Sequence, residues 1–212
     1  APGEFVRGML VVCLLTMGVG LALVLTAFGW RAIGYVLLFL ALGAGCIVAA
    51  VKYTVGRRAY GYSGWGEVFV FLFFGLVAVC GGAFLYTGRW DALWLLPGAA
   101  LGLLSSGVLH LNNLRDAEGD RANGKNTLAS RMSLGWGLAF QCGLIVGAIV
   151  LLLVYMDATY RMTLWYLPTA LCLINIPLTV QIKRREDADK LLKVLSLSTL
   201  AMCAVFAVAV NV

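Results

Sequence analysis

Asn112, Asp116 and Asp120 recur at intervals of four residues. At about 100° per residue they drift only about 80° around a helix over about 12 Å, so they share one polar face. Two carboxylates one turn apart suit Mg²⁺, which takes one or two protein carboxylates, keeps several waters and fills its octahedron with substrate phosphate oxygens. Asn112 stands in line to orient or complete that shell, whereas Asn113 and Glu118 lie off the line. The competing reading is a charge-mixed helix end whose acids pair with Arg115 and Arg121. Position favours chemistry: the stretch follows an apolar run at 91–109, and ionisable groups at membrane depth are costly and tend to be functional.

The elements that must carry this face are membrane helices. With 62% hydrophobic and 12% charged residues and a mean hydropathy of +0.93, the 212-residue chain is far more apolar than a soluble domain. Windows of roughly 20 apolar residues predict seven spans, near 8–29, 31–51, 67–87, 92–112, 134–156, 162–182 and 191–211. The expected fold is an all-α polytopic bundle forming one transmembrane domain over 1–212. The six cysteines all fall in apolar runs and read as small hydrophobes. The N-terminus shows no cleavable signal, and nothing suggests nucleic acid as a partner.

Charge sorts the connections onto two sides. Arg7, Lys52, Arg57, Arg58, Arg115, Arg121, Lys125, Arg131, Lys183, Arg184, Arg185, Lys190 and Lys193 fall on one side, thirteen of the 16 basic residues, against Arg31, Arg89 and Arg161 on the other. The excess of basic loop residues predicts that the long connections at 52–66 and 113–133 are cytoplasmic, with Val212 outside. Gly119–Asn126 nearly matches a P-loop, but Asn126 replaces the magnesium-binding hydroxyl and an apolar helix precedes it instead of a strand. An EF-hand fails because Arg121 stands where the sharp-turn glycine belongs. His110, the sole histidine, reads as hydrogen-bonded at a helix end. The Phe69, Phe71, Phe73, Phe74 and Trp136 rings read as facing lipid or neighbouring helices, and Gly18, Gly20, Gly43 and Gly45 as sites of close helix contact.

Residues 112–131, NNLRDAEGDRANGKNTLASR, resemble the second aspartate-rich motif of the UbiA superfamily of intramembrane prenyltransferases, in the form of its 1,4-dihydroxy-2-naphthoate branch in menaquinone biosynthesis. Residues 53–67, YTVGRRAYGYSGWGE, resemble the family's Tyr-x-x-x-Lys/Arg element followed by the Tyr-Gly-Tyr of that branch. The superfamily has nine helices and a first aspartate-rich motif at the end of its second. No such motif is seen here, so residues 1–212 read as helices three to nine, with the first two absent.

The resemblance implies transfer of a polyprenyl group from its diphosphate to 1,4-dihydroxy-2-naphthoate, with decarboxylation, in a bacterial cytoplasmic membrane. Asp116, Asp120 and Asn112 would hold one Mg²⁺, and a second would belong to the missing motif. Tyr53, Tyr60 and Tyr62 would stabilise the allylic cation through their ring faces, and Arg57 and Arg58 would clamp or shield the phosphates. Lys125, Arg115, Arg121 and Asn113 are candidates for the diphosphate or the acceptor. Other acceptors, 4-hydroxybenzoate or homogentisate, are the nearest alternative. A transporter should instead show polar residues midway through several spans, and here those positions are almost wholly apolar.

Overall fold

In lipid every backbone N–H and C=O must be satisfied within its own segment, which leaves the helix as the way to cross with a chain this apolar. The computed structural model describes residues 2–29, 32–56, 59–159 and 166–210 and is helical throughout, apart from turns and short connections. Helix α1 (Pro2–Phe28) pairs with α2 (Ile33–Thr54). A 3₁₀ turn at Tyr60–Tyr62 then leads into α3 (Gly66–Thr87). Helix α4 (Leu95–Ala122) follows, then a single turn α5 (Leu128–Arg131), α6 (Leu134–Thr159), α7 (Leu167–Leu173), α8 (Asn175–Val180) and α9 (Ala188–Val210).

Among the described residues six helices are long and apolar enough to cross a membrane. The sixth predicted span, 162–182, departs from expectation: its described part is the shorter apolar helix pair α7 and α8, broken at Ile174. Pro177 explains the break, because it offers no N–H and its ring crowds the carbonyl four residues back, at Leu173. Asn175, fully buried beside the break, donates from Nδ2 to Ser198 Oγ at 2.8 Å and to the Cys172 carbonyl at 3.2 Å.

Helix α4 is the axis of the bundle. In its most apolar stretch 39% of the residues are buried, against 6% in α1 and in α2. Ala100, Leu104 and Leu111 pack against Ile145, Ala148 and Leu152 of α6 and Leu191 and Leu195 of α9. Twenty-eight residues rise about 42 Å, about 12 Å more than the hydrocarbon core of a bilayer. That surplus is the polar end, so residues 113–122, predicted as the start of a long loop, continue the helix.

On the other side α4 meets α3 almost backbone to backbone. A Cβ on Gly75 would fall 2.5 Å from Gly102 Cα and 2.6 Å from the Gly98 carbonyl oxygen. Gly75 sits in a π-helical segment, Phe71–Val77. The close contact is therefore made by glycines 75, 98 and 102, while Gly18, Gly20, Gly43 and Gly45 face open space, contrary to the sequence expectation.

Candidate functional site

The two long connections close on each other at one end of the bundle. The Asn126 N–H donates to the Tyr62 carbonyl at 3.0 Å, and Arg131 Nη2 donates to the Ser63 carbonyl at 3.1 Å. Thr127 caps α5, its hydroxyl oxygen accepting from the Ser130 N–H at 3.1 Å, and Arg121 donates to the Ser130 carbonyl. Arg185 reaches the Met132 carbonyl at 2.7 Å and pins the start of α9 to the same end. Arg121 is thus committed to holding the connection rather than to the polar face, and Tyr62 is half exposed at its rim.

The polar face stands as its spacing predicts, with each carboxylate held by a cation. Arg115 donates from Nε and Nη2 to the two oxygens of Asp116, at 2.7 and 2.9 Å, and from Nη2 to Asn112 Oδ1 at 2.8 Å. Its Nη1 bonds Asp189 Oδ1 at 3.0 Å, and Lys193 Nζ lies 2.8 Å from Asp189 Oδ2. Lys125 Nζ lies 2.9 Å from Asp120 Oδ2, and its backbone N–H caps the Asp120 carbonyl at 2.8 Å. Asp189 was not singled out from sequence. Its signal is an acid at the head of an apolar helix, opposite the basic face of another.

Beside this face lies an apolar cavity of about 690 Å³ between α2 and α3, lined by Cys46, Ala50, Tyr53, Tyr60, Phe69 and Phe73 among others. Tyr60 stacks on Phe69 with centroids 3.9 Å apart, meets Tyr53 edge-on at 5.5 Å and donates its hydroxyl to the Ala49 carbonyl at 2.8 Å. Burial first, and then the neighbouring Tyr53, push the Tyr60 phenol above its ordinary range, so it stays neutral as a donor at physiological pH. Phe69, Phe73 and Phe74 line this cavity, more specific work than facing lipid. Trp136 is largely exposed on the outer surface, as expected. A second apolar cavity of about 380 Å³ adjoins the first through Cys46, Ile47 and Ala78.

Tyr53 joins cavity to face. Its ring lines the cavity, and its hydroxyl feels the charges of Lys125, Glu67 and Asp120. Gly61 makes room for it, since a Cβ there would fall 2.6 Å from the Tyr53 carbonyl oxygen and 2.9 Å from its ring. Arg57 and Arg58 lie outside the described residues.

Asn113 faces away from the cations into a buried cluster that sequence reasoning missed. Its Nδ2 donates to Glu67 Oε1 at 3.1 Å, and His110 Nδ1 stands 3.8 Å from the same oxygen. His110 is fully buried and its Nε2 bonds the Gly137 carbonyl at 3.0 Å, matching the hydrogen-bonded reading.

Among the described residues no group of three or more His, Cys, Asp or Glu side chains could hold a metal. The two carboxylates and the amide oxygen on α4 are donors of the type Mg²⁺ takes, and an ion held by so few would complete its shell with water or phosphate oxygens. The Asp116 side chain is 42% exposed, so its pairing with Arg115 is open to exchange.

At one end of the helical bundle an apolar cavity lined by aromatic rings thus lies near a face of paired acids and cations. The UbiA prenyltransferase family model matches residues 6–210, and the chain belongs to that family. It is 39% identical over 152 residues to the 1,4-dihydroxy-2-naphthoate octaprenyltransferase of Escherichia coli, covering 72% of this chain and 49% of that protein. It is 46% identical over 121 residues to the enzyme of the same name from Haemophilus influenzae, covering 57% of this chain and 39% of that one. It is 28% identical over 150 residues to the UbiA prenyltransferase domain-containing protein 1 of Gallus gallus, covering 71% and 43%. The chain thus spans about half the length of the curated relatives it matches. No solved structure matches it. Prenyltransferases of this family generally depend on a divalent metal.

Proposed function

We propose that this chain carries the diphosphate-binding face and prenyl groove of a Mg²⁺-dependent enzyme that transfers a polyprenyl group to 1,4-dihydroxy-2-naphthoate with loss of carbon dioxide. The observation that carries the reading is the junction at Tyr53, where an apolar cavity meets Asp120 and Lys125. A polyprenyl diphosphate is itself such a junction. The two relatives named for this naphthoate activity supply the acceptor.

Asp116, Asp120 and Asn112 would hold Mg²⁺, which when bound would stabilise charge on the departing diphosphate. Lys125 and Arg115, paired here with Asp120 and Asp116, are the cations placed to turn to phosphate oxygens or to the acceptor's carboxylate, where oriented cations lower the barrier as charge develops. Tyr53 and Tyr60 present ring faces to the allylic carbon as its C–O bond breaks and the electron pair leaves with diphosphate. The acceptor carbon bearing the carboxylate forms the new C–C bond. Loss of that carboxylate as carbon dioxide returns the pair to the ring, so no net proton is needed.

Competition between acceptors tests this reading. Purified protein given a polyprenyl diphosphate, Mg²⁺ and equal 1,4-dihydroxy-2-naphthoate and 4-hydroxybenzoate is expected to yield the decarboxylated naphthoate product. A prenylated 4-hydroxybenzoate that keeps its carboxylate, as the main product, would reassign the acceptor.

The basic excess on the end carrying both connections supports a cytoplasmic orientation for it, where Mg²⁺, acceptor and diphosphate would exchange. With the native cysteines replaced, an impermeant thiol reagent outside right-side-out vesicles should label a cysteine at Thr159 and spare those at Ser63 and Asn123. Labelling of positions 63 and 123 from outside would reverse the orientation.

A further inference from the structure

Glu67 is a carboxylate at the head of a membrane helix, 5% exposed, yet the chemistry proposed above makes no use of it. Its side-chain partners come from α4. Oε1 accepts from Asn113 Nδ2 at 3.1 Å and stands 3.8 Å from His110 Nδ1, while its carbonyl oxygen accepts from Ser106 Oγ at 2.8 Å. Residues 106, 110 and 113 fall at i, i+4 and i+7, a single stripe of the helix. The stripe formed by Asn112, Asp116 and Asp120 begins one residue away, about 100° around the same cylinder. Whatever fixes the first stripe fixes where the second one points.

Glu67 also adjoins the other half of the site. It follows Gly66, which lines the same cavity as the Tyr53 ring. A single residue therefore ties the aromatic mouth of the cavity to the rotation of the helix carrying the acids. We propose that Glu67 is a positioning residue that, through Asn113, His110 and Ser106, sets the rotation of α4 and so aims Asn112, Asp116 and Asp120 at the Tyr53 junction; this rests on the reading of that face as the metal site.

Side-chain atoms ride about 5–6 Å from a helix axis, so a rotation of about 10° moves them about 1 Å. A misplacement of about 1 Å is enough to cost on the order of 10² in rate. The role is geometric, and an uncharged group of the same shape serves it. Glutamine keeps the acceptor for Asn113 and adds a donor for Asn113 Oδ1 and His110 Nδ1, both of which lack a hydrogen-bond partner. Methionine keeps the volume and removes every side-chain bond.

The test is Mn²⁺ binding in the presence of inorganic diphosphate, followed by electron paramagnetic resonance on the purified full chain in detergent, beside thermal midpoints and kcat. Glu67→Met is expected to lower the thermal midpoint, because the Asn113 amide and the His110 ring stay buried without their carboxylate partner. In the protein that remains folded it should weaken Mn²⁺ binding about tenfold and lower kcat by about 10- to 100-fold. Glu67→Gln should stay within about threefold of the wild type in both. Wild-type Mn²⁺ affinity in a folded Glu67→Met overturns the proposal, as does a Glu67→Gln impaired as badly as Glu67→Met, since charge and not geometry would then matter. Should Glu67→Met not survive extraction, the glutamine variant alone decides. Failure of the wild type to bind Mn²⁺ with diphosphate would defeat the metal-face reading itself, and the proposal with it, before any variant is compared.

Discussion

Asp116→Asn and Asp120→Asn are each expected to lower prenyl transfer at least about a thousandfold while leaving the protein folded in detergent, a deficit of about 4 kcal/mol in transition-state stabilisation. Each change keeps the size of the side chain and removes one charge from a set of only two carboxylates. The fold does not need those charges. Asp116 is held by Arg115, which keeps Asp189 as a partner when Asp116 is neutral, and the buried apolar residues beside it on α4, Leu114 and Ala117, are unchanged. What is lost is the ion and, with it, the phosphate oxygens that complete its shell. Turnover, thermal midpoint and chromatographic profile together decide the matter: a folded Asp120→Asn with wild-type turnover at limiting Mg²⁺ would remove Asp120 from the site.

Gly61→Ala is the second large effect and acts without touching the acids. The new methyl group would lie 2.6 Å from the Tyr53 carbonyl oxygen and 2.9 to 3.0 Å from two ring carbons. The first of these is backbone and cannot swing aside, so either α2 or the Tyr60–Tyr62 turn must shift. Tyr53 shifts with it. A loss of about 10² in kcat is expected from a displacement near 1 Å, with Mg²⁺-diphosphate affinity retained because α4 is untouched. Gly143→Ala is the control, since nothing lies within 4 Å of that position and an alanine in a helix is if anything favourable. Equal activity in the two variants would show that the placement of Tyr53 is not critical.

The polar face of α4 was legible in the sequence because its period is that of a helix and its surroundings are apolar. Charge put the two long connections on one side of the membrane, and their direct contact is seen in the Asn126–Tyr62 and Arg131–Ser63 bonds. The pairing of Arg115 with Asp116 belonged to the competing helix-end reading, although neighbours at i and i+1 do not face each other on a helix. Arg115 reaches Asp116 only by folding its long side chain along the surface between Asn112 and Asp189. The competing helix-end reading was half realised: Arg115 pairs with an acid, but Arg121 turns to the Ser130 carbonyl and leaves Asp120 to Lys125.

Glu67 escaped because one acid at the edge of an apolar run reads as a membrane boundary. The better signal was an ionisable residue within a span, opposite a stripe of Ser106, His110 and Asn113 in the next. The broken sixth span was hidden by its composition. Hydropathy averages over Pro177 and Asn175, whereas helix continuity depends on each residue.

Isothermal titration of inorganic diphosphate into the purified protein, with and without Mg²⁺, in the wild type and in Asp116→Asn, tests the central claim most directly. The account predicts binding that requires both Mg²⁺ and Asp116, because the two carboxylates and the phosphates share one ion. Diphosphate that binds equally well without Mg²⁺, or equally well to Asp116→Asn with Mg²⁺ present, would contradict it and leave the cations of this face as an anion site with no metal.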